Sequence, residues 1–440
     1  MTTRASVALT LSAIVAPLLL LPLLLQPRLG LGAAGLLLAW ASPAYPLGLA
    51  HSRDLVPLVG TQLPSGAVTM ALFAWVLAGI GFAVLRQPER VPRQLGFLVP
   101  VLLSLVLFAV MLLRLTDSAT GSYAADKAQL FIIINVTVLI AGFLVGGRRR
   151  DVELCLALML AVAVVAAVAL LLQILGGVQP TYHGRYAVSN RDYDPIALGR
   201  ISGAGILIAL YALLAGRAGV RAVALAVAPL LTVAFLASGG RGPVVGLLAG
   251  LIVLLALPVA GAPRRRLIVL GAVILSVAIA SQIVPGDAMD RAASVIVGGT
   301  GGRDPNGRTE LWAQALNLFA SNPWSGIGTG GFAAVEPLEL YPHNLLLEVA
   351  VELGLLGLVP LIGALVAGTI AIARSLTAPV AADRGLSLLV AALFTAALVN
   401  AMFSADITAN SDVWLLLGLG VGLASRSPVP VPGPARWRAA

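Results

Sequence analysis

The chain has 440 residues, 59% of them hydrophobic and only 11% charged, less than half of the roughly 25% usual in soluble domains. That composition excludes a soluble globular protein and implies a polytopic membrane chain. The net charge of +9 is not a nucleic-acid footprint, because the basic residues form short clusters between apolar runs; the lone Cys155 excludes an intrachain disulfide, and His51, His183 and His343 are too scattered for a zinc or haem site.

Apolar runs of about 20 residues, each enough to cross a hydrocarbon core of ~30 Å, recur along nearly the whole chain. In order they cover 5–26, 30–50, 66–85, 95–115, 127–147, 152–175, 196–216, 220–237, 243–260, 267–283, 344–373, 386–403 and 413–424. The first run is read as a permanent span, since no small-residue cleavage pattern follows it. The fold class expected is an all-α transmembrane bundle of about 12 helices. Arginine clusters at 86–93, 148–150, 217–221, 264–266, 374–384 and 426–438 fall in every second connection and mark it as cytoplasmic. By alternation 177–195, 238–242, 285–342 and 404–412 face outward. This divides the chain into an N-terminal bundle (1–284), an external loop (285–342), C-terminal helices (343–425) and a Pro-rich cytoplasmic tail (426–440) expected to be disordered.

Four arginines break the positive-inside pattern by lying at the outer face: Arg185 and Arg191 in GRYAVSNRDYDP, Arg241 in ASGGRGP, and Arg308 in NGRTELW. Arg200 starts the following span from the same side. The planar, permanently charged guanidinium fork suits phosphate oxygens, so the set points to an external phosphate or diphosphate site; snorkelling to lipid headgroups is the alternative for each arginine alone. The only lysine, Lys127, carries no assignment, and the arginine preference is read as coding bias. Asp54, in the first external connection, reads as a solvated loop charge.

The external loop is long enough to need a purpose. Within RTELWAQALNLFASNP, Leu311, Trp312, Ala315, Leu316 and Phe319 recur at helical spacing, predicting an amphipathic helix near 309–320 that stops at Asn322-Pro323 and lies over the bilayer surface or the bundle. The following GIGTGG (326–331) lacks the strand and βαβ context of a dinucleotide site and reads as a flexible turn back to the bilayer. Then comes YPHNLLLEVAVELGLLG (341–357), a histidine followed by two glutamates in an apolar run. Read as one helix at about 100° per residue, His343, Gly354 and Gly357 share a face, a small-residue stripe for close helix packing, and Glu348 and Glu352 lie one turn apart on the other side. Intramembrane acids mark a cavity or polar contact. Alternatively, Glu348 answers the helix dipole and His343 anchors the interface.

The combination of SGGRG at a span end, RTELW opening an external helix, NPWSGIGTGGF, and H-N-x9-G-x2-G (His343, Asn344, Gly354, Gly357) resembles the O-antigen ligase and O-antigen polymerase superfamily. The resemblance runs from about residue 238 to 357. It implies a multi-pass enzyme of the bacterial inner (cytoplasmic) membrane that needs no metal or other cofactor. Its donor would be a glycan on undecaprenyl diphosphate and its acceptor a hydroxyl of a glycan, of lipid A-core or of a protein, with membrane lipids as surroundings and no nucleic acid as partner. Carried over by motif position, Arg241 and Arg308, helped by Arg185 and Arg200, would bind the diphosphate. His343 would be the catalytic base beside the acceptor hydroxyl, supported by Asn344, Glu348, Glu352, Gly354 and Gly357. Direct displacement would invert the anomeric carbon. Polymerase, protein O-oligosaccharyltransferase and a bicarbonate-type transporter are the competing readings, and the large external loop favours an enzyme over a transporter.

Overall fold

The computed structural model describes residues 95–115, 119–177, 180, 185–186, 195–256, 263–297, 308–336, 340–377 and 381–426. The expected spans at 5–26, 30–50 and 66–85, together with Asp54, Arg191, His51, His183 and the Pro-rich tail, lie outside them, so the total of about 12 helices is an expectation of the sequence alone. Regular structure among the described residues is helical, as the composition requires of a chain that must satisfy its backbone within each span.

In chain order the helices are α1 (Leu95–Leu113), α2 (Ser122–Leu130), which runs through a π-helical stretch (Phe131–Val136) into α3 (Thr137–Gly146), α4 (Arg149–Leu175), α5 (Pro195–Ala215), α6 (Ala218–Ala237) and α7 (Arg241–Ala256). They continue with α8 (Pro263–Ile283), α9 (Gly286–Val297), α10 (Arg308–Ser321), the single turn α11 (Phe332–Val335), α12 (Leu345–Ser375), α13 (Ala381–Ala401) and α14 (Ser411–Ala424). Among the described residues six helical stretches are long and apolar enough to cross a membrane: Tyr123–Gly146, Arg149–Leu175, Pro195–Ala215, Ala218–Ala237, Leu345–Ser375 and Asp383–Ala401. Four shorter apolar helices occupy the remaining runs expected after residue 94.

Without a hydrophobic drive between helices in lipid, close backbone approach holds such a bundle together. Gly142 and Gly146 on α3 face Gly418 and Gly422 on α14, and a Cβ at any of the four would overlap the opposing backbone. Trp414 of α14 is fully buried, edge-on to Phe131 at 5.4 Å between ring centroids. Outward-facing Leu, Ile and Val on α1, α8 and α12 remain exposed, as lipid-facing surfaces should be.

The stretch 341–357 is not one continuous helix. Gly354 has φ 62° and ψ −158°, a conformation essentially confined to glycine, and it breaks α12. The freed backbone groups are taken up by the loop: Ile327 and Gly328 donate their N–H groups to Val351 O and Glu352 O (2.9 Å each), and Leu355 and Leu356 donate theirs to Pro323 O (2.8 Å) and Trp324 O (3.1 Å). Thus the expected small-residue stripe is a break into which the loop backbone docks, and a Cβ at Gly354 would overlap Trp324 and Ser325. Gly357 makes room for the side chain of Leu353, displaced by the break.

The GIGTGG turn is correspondingly fixed, not a flexible return. Its other edge is held by Arg114 Nη2 on Gly326 O (3.0 Å), Thr329 Oγ1 on Met111 O (2.7 Å) and Thr120 Oγ1 on Gly330 O (3.2 Å). Gly354→Ala adds a disfavoured conformation costing about 1–3 kcal/mol on top of the overlap. We expect it to release residues 323–331 to protease in detergent, read by mass spectrometry of the cleavage sites; cleavage indistinguishable from wild type would contradict the docking.

Candidate active site

The turn between α6 and α7 collects arginines. Gly239 takes φ 56°, and a Cβ there would lie 3.3 Å from Arg185 Cγ and 3.7 Å from Arg291 Cδ, so glycine serves both the turn and the space the two side chains need. Arg185 is brought there by its neighbour Tyr186, whose N–H donates to Ala237 O at 3.0 Å. Arg291 comes from α9, which packs over α6 and α7 with Ala288 and Ala292 buried.

Arg241 is the first residue of α7, and its buried Nε has no hydrogen-bond partner among the described residues. Burial, and then the positive charges of Arg241 and Arg308, lower the pKa of Arg291 below the ordinary guanidinium value. Four arginines therefore share one region, Arg185, Arg241 and Arg291 around the α6–α7 turn and Arg308 electrostatically coupled to Arg291. Such a concentration of guanidinium groups suits an anionic ligand.

His343 sits in a second group joined to the first. Its backbone is in the left-handed region (φ 55°), unusual for a residue with a side chain, and its ring meets Tyr341 edge-on at 4.6 Å. The flanking residues are pinned. Trp312 Nε1 donates to Pro342 O (2.9 Å), and Asn344 caps α12 by accepting from Leu346 N (3.1 Å) and Leu347 N (3.0 Å) while its Nδ2 donates to Met402 O (3.2 Å).

The Trp312 ring also lies against Phe403 (6.2 Å between centroids), and a Cβ on Gly242, next to Arg241, would be 3.3 Å from Phe403 Cβ. Phe403 is thus a common wall between the arginine turn and the histidine turn. Arg308 and Trp312 are one helical turn apart on α10, so that helix carries a residue to each group. The expected helix near 309–320 is α10, and of the two placements expected it takes the one against the protein, burying Leu311 and Ala315 against Phe332 and Val351.

Beneath the histidine turn, Glu348 and Glu352 converge on the lone lysine. Lys127 Nζ is 2.6 Å from Glu348 Oε1 and 2.7 Å from each carboxylate oxygen of Glu352, and all three side chains are at most 3% exposed. Glu348 Oε1 also accepts from Ile407 N (3.2 Å), and Asn135 Nδ2 donates to Ile407 O (2.6 Å). This is how an apolar helix accepts two acids: both pair with one buried cation, and Glu348 also fastens the turn before α14.

Arg200 serves the same turn. Its guanidinium donates to Asn410 Oδ1 (2.9 Å), Asn400 O (3.2 Å) and Ser404 O (2.9 Å), and with Asn400 and Asp412 it lines an internal cavity of about 40 Å³. Within the connection 404–412, read as outward-facing by alternation, Ser404, Ile407, Thr408 and Asn410 are buried.

Residues 224–362 match the family model described as O-antigen ligase. Over this third of the chain the protein is similar to the O-antigen ligase family. The ligase segment contains Arg241, Arg291, Arg308, His343, Asn344, Glu348, Glu352, Gly354 and Gly357, whereas Lys127, Arg185 and Arg200 are supplied from before it. No curated protein matches the chain. That match and the helices long and apolar enough to cross a membrane support a multi-pass membrane protein similar to glycan-transferring enzymes.

Three residues of these groups escaped the reading of the sequence. Arg291 stands among Asp287 and Asp290, which disguised it as ordinary loop charge; the spacing of Ala288 and Ala292 is the signal that could have revealed a packed helix. Lys127 passed as a boundary residue, although a unique lysine facing two intramembrane acids invites pairing. Trp312 was assigned only to an apolar face, and its indole N–H needed a partner.

Proposed function

We propose that the enzyme moves a glycan from undecaprenyl diphosphate to an acceptor hydroxyl at the outer face of the inner membrane, without metal and with inversion at the anomeric carbon. In this reading 285–342 is an external lid lying between an N-terminal bundle (1–284) and C-terminal helices (343–425). Arg185, Arg241, Arg291 and Arg308 hold the diphosphate, and His343 faces the acceptor. His343 takes the proton of the acceptor hydroxyl as its oxygen attacks the anomeric carbon; the bond from that carbon to the diphosphate oxygen breaks, and its electron pair leaves on the diphosphate. The arginines stabilise the charge that develops there. Arg200, with its fork engaged by Asn400, Ser404 and Asn410, holds the wall of the site and does not contact phosphate.

The observation that carries this reading is the convergence of four arginines beside a restrained histidine, which suits an anionic leaving group next to a proton acceptor. Arg291 tests it, because family-independent geometry alone places it in the cluster. A hydrogen bond to a charged group contributes about 1.5–3 kcal/mol, so Arg291→Ala should weaken binding of undecaprenyl diphosphate roughly 10- to 100-fold. Arg291→Lys, which keeps the charge and loses the fork, should fall between. Binding to purified protein in detergent is the measurement, and wild-type affinity in both variants would remove Arg291 from the diphosphate site.

A further inference from the structure

A residue with a side chain held at φ 55° persists only where its surroundings over-determine it. For His343 the restraint comes from two sides. Asn344 caps α12 and grips Met402 O on the C-terminal side, and on the N-terminal side Trp312 Nε1 donates to Pro342 O at 2.9 Å. Trp312 is itself partly buried and braced against Phe403, and its ring packs beside Leu311 and Ala315, which seat the helix against Phe332 and Val351. Loss of the indole bond would therefore leave α10, and Arg308 at its start, in place while freeing the peptide that precedes the histidine.

We propose that Trp312 is a positioning residue for His343, acting through one hydrogen bond on the Pro342 carbonyl and not through contact with either substrate. The inference rests on the reading of His343 as the acceptor-side base. It separates two tasks within one helix: Arg308 binds the donor, and Trp312, one turn later, aims the histidine at the acceptor. A misaimed general base loses part of a contribution that is typically 10²- to 10⁴-fold.

Trp312→Phe keeps an aromatic ring against Phe403 and removes only the N–H. In proteoliposomes with lipid-linked glycan and acceptor extracted from the source cells, it should lower kcat by about 10-fold, a fraction of the general-base contribution, with donor KM within about twofold of wild type. A merely structural loosening of α10 would displace Arg308 and raise donor KM instead; Leu311→Ala serves as that control. In a His343→Gln background the Trp312 substitution should cost nothing further, since residues acting as one unit are not additive.

Wild-type kcat in Trp312→Phe beside a crippled His343→Gln would overturn the inference and leave the base assignment standing. An equal further loss in the His343→Gln background, or a rise in KM in place of the fall in kcat, would also overturn it. Full activity of His343→Gln would remove the base assignment, and this inference with it. If His343→Gln falls below detection, the split between kcat and KM in Trp312→Phe decides the matter alone.

Discussion

Lys127→Met should not accumulate as a folded protein. The substitution leaves Glu348 and Glu352 at the protein centre facing each other without their cation, with Asp406 nearby. Breaking a buried pair by removing one partner costs about 3–5 kcal/mol, because the remaining charge stays uncompensated. Here two carboxylates lose the same partner, and the turn at Ile407, which Glu348 fastens, goes with them. Combining Lys127→Met with Glu348→Gln and Glu352→Gln removes all the charges together and should recover much of the loss. Thermal unfolding of detergent-purified protein, monitored by size-exclusion survival after heating, checks both. A single Lys127→Met variant as heat-resistant as wild type would show that the triad contributes little to the fold.

His343→Ala should abolish glycan transfer while leaving expression, heat resistance and binding of undecaprenyl diphosphate near wild type. Removing one general base costs roughly 10²- to 10⁴-fold. His343→Gln is the sharper substitution, because its amide can hydrogen-bond a hydroxyl and cannot take its proton at neutral pH. Transfer by glutamine but not by alanine would reduce His343 to an orienting group. Full activity of both would end its catalytic assignment. Glu352→Gln should impair transfer less than His343→Ala, since Glu352 is occupied by Lys127; if it alone abolished transfer, the base would have to be sought among the carboxylates.

The membrane helices after residue 94 were legible because each span states its own case: an uninterrupted apolar run predicts a helix whatever its neighbours do. Residues 152–175, for example, lie within α4 (Arg149–Leu175), and 220–237 within α6 (Ala218–Ala237). The α10 helix was legible for the same local reason. The break at Gly354 was not, because the apolar pattern continues across it and the interruption rests on the Gly354 backbone conformation and on four hydrogen bonds exchanged with a loop some thirty residues earlier.

Long-range pairing also explains the other omissions. Arg241 and Arg308 could be singled out where they stand, each at a helix start and each breaking the positive-inside pattern of the sequence. Arg291 became meaningful only once α9 was laid across the α6–α7 turn, and Lys127 only once α2 met α12, more than two hundred residues later in the chain. The buried state of 404–410 likewise depends on Arg200, Asn135 and Glu348, three residues from three different helices. Local patterns report elements, and the chemistry of the site arises from which elements meet.

The most direct test of glycan transfer at this site is a single reaction in proteoliposomes holding the purified chain, lipid-linked glycan extracted from the source cells and their acceptor, in which glycan gained by the acceptor and undecaprenyl diphosphate released are quantified together. The account predicts the two in equal amounts, with both abolished by His343→Ala and both strongly reduced by Arg291→Ala. Acceptor glycosylation without release of undecaprenyl diphosphate, or undiminished transfer by both variants, would contradict it.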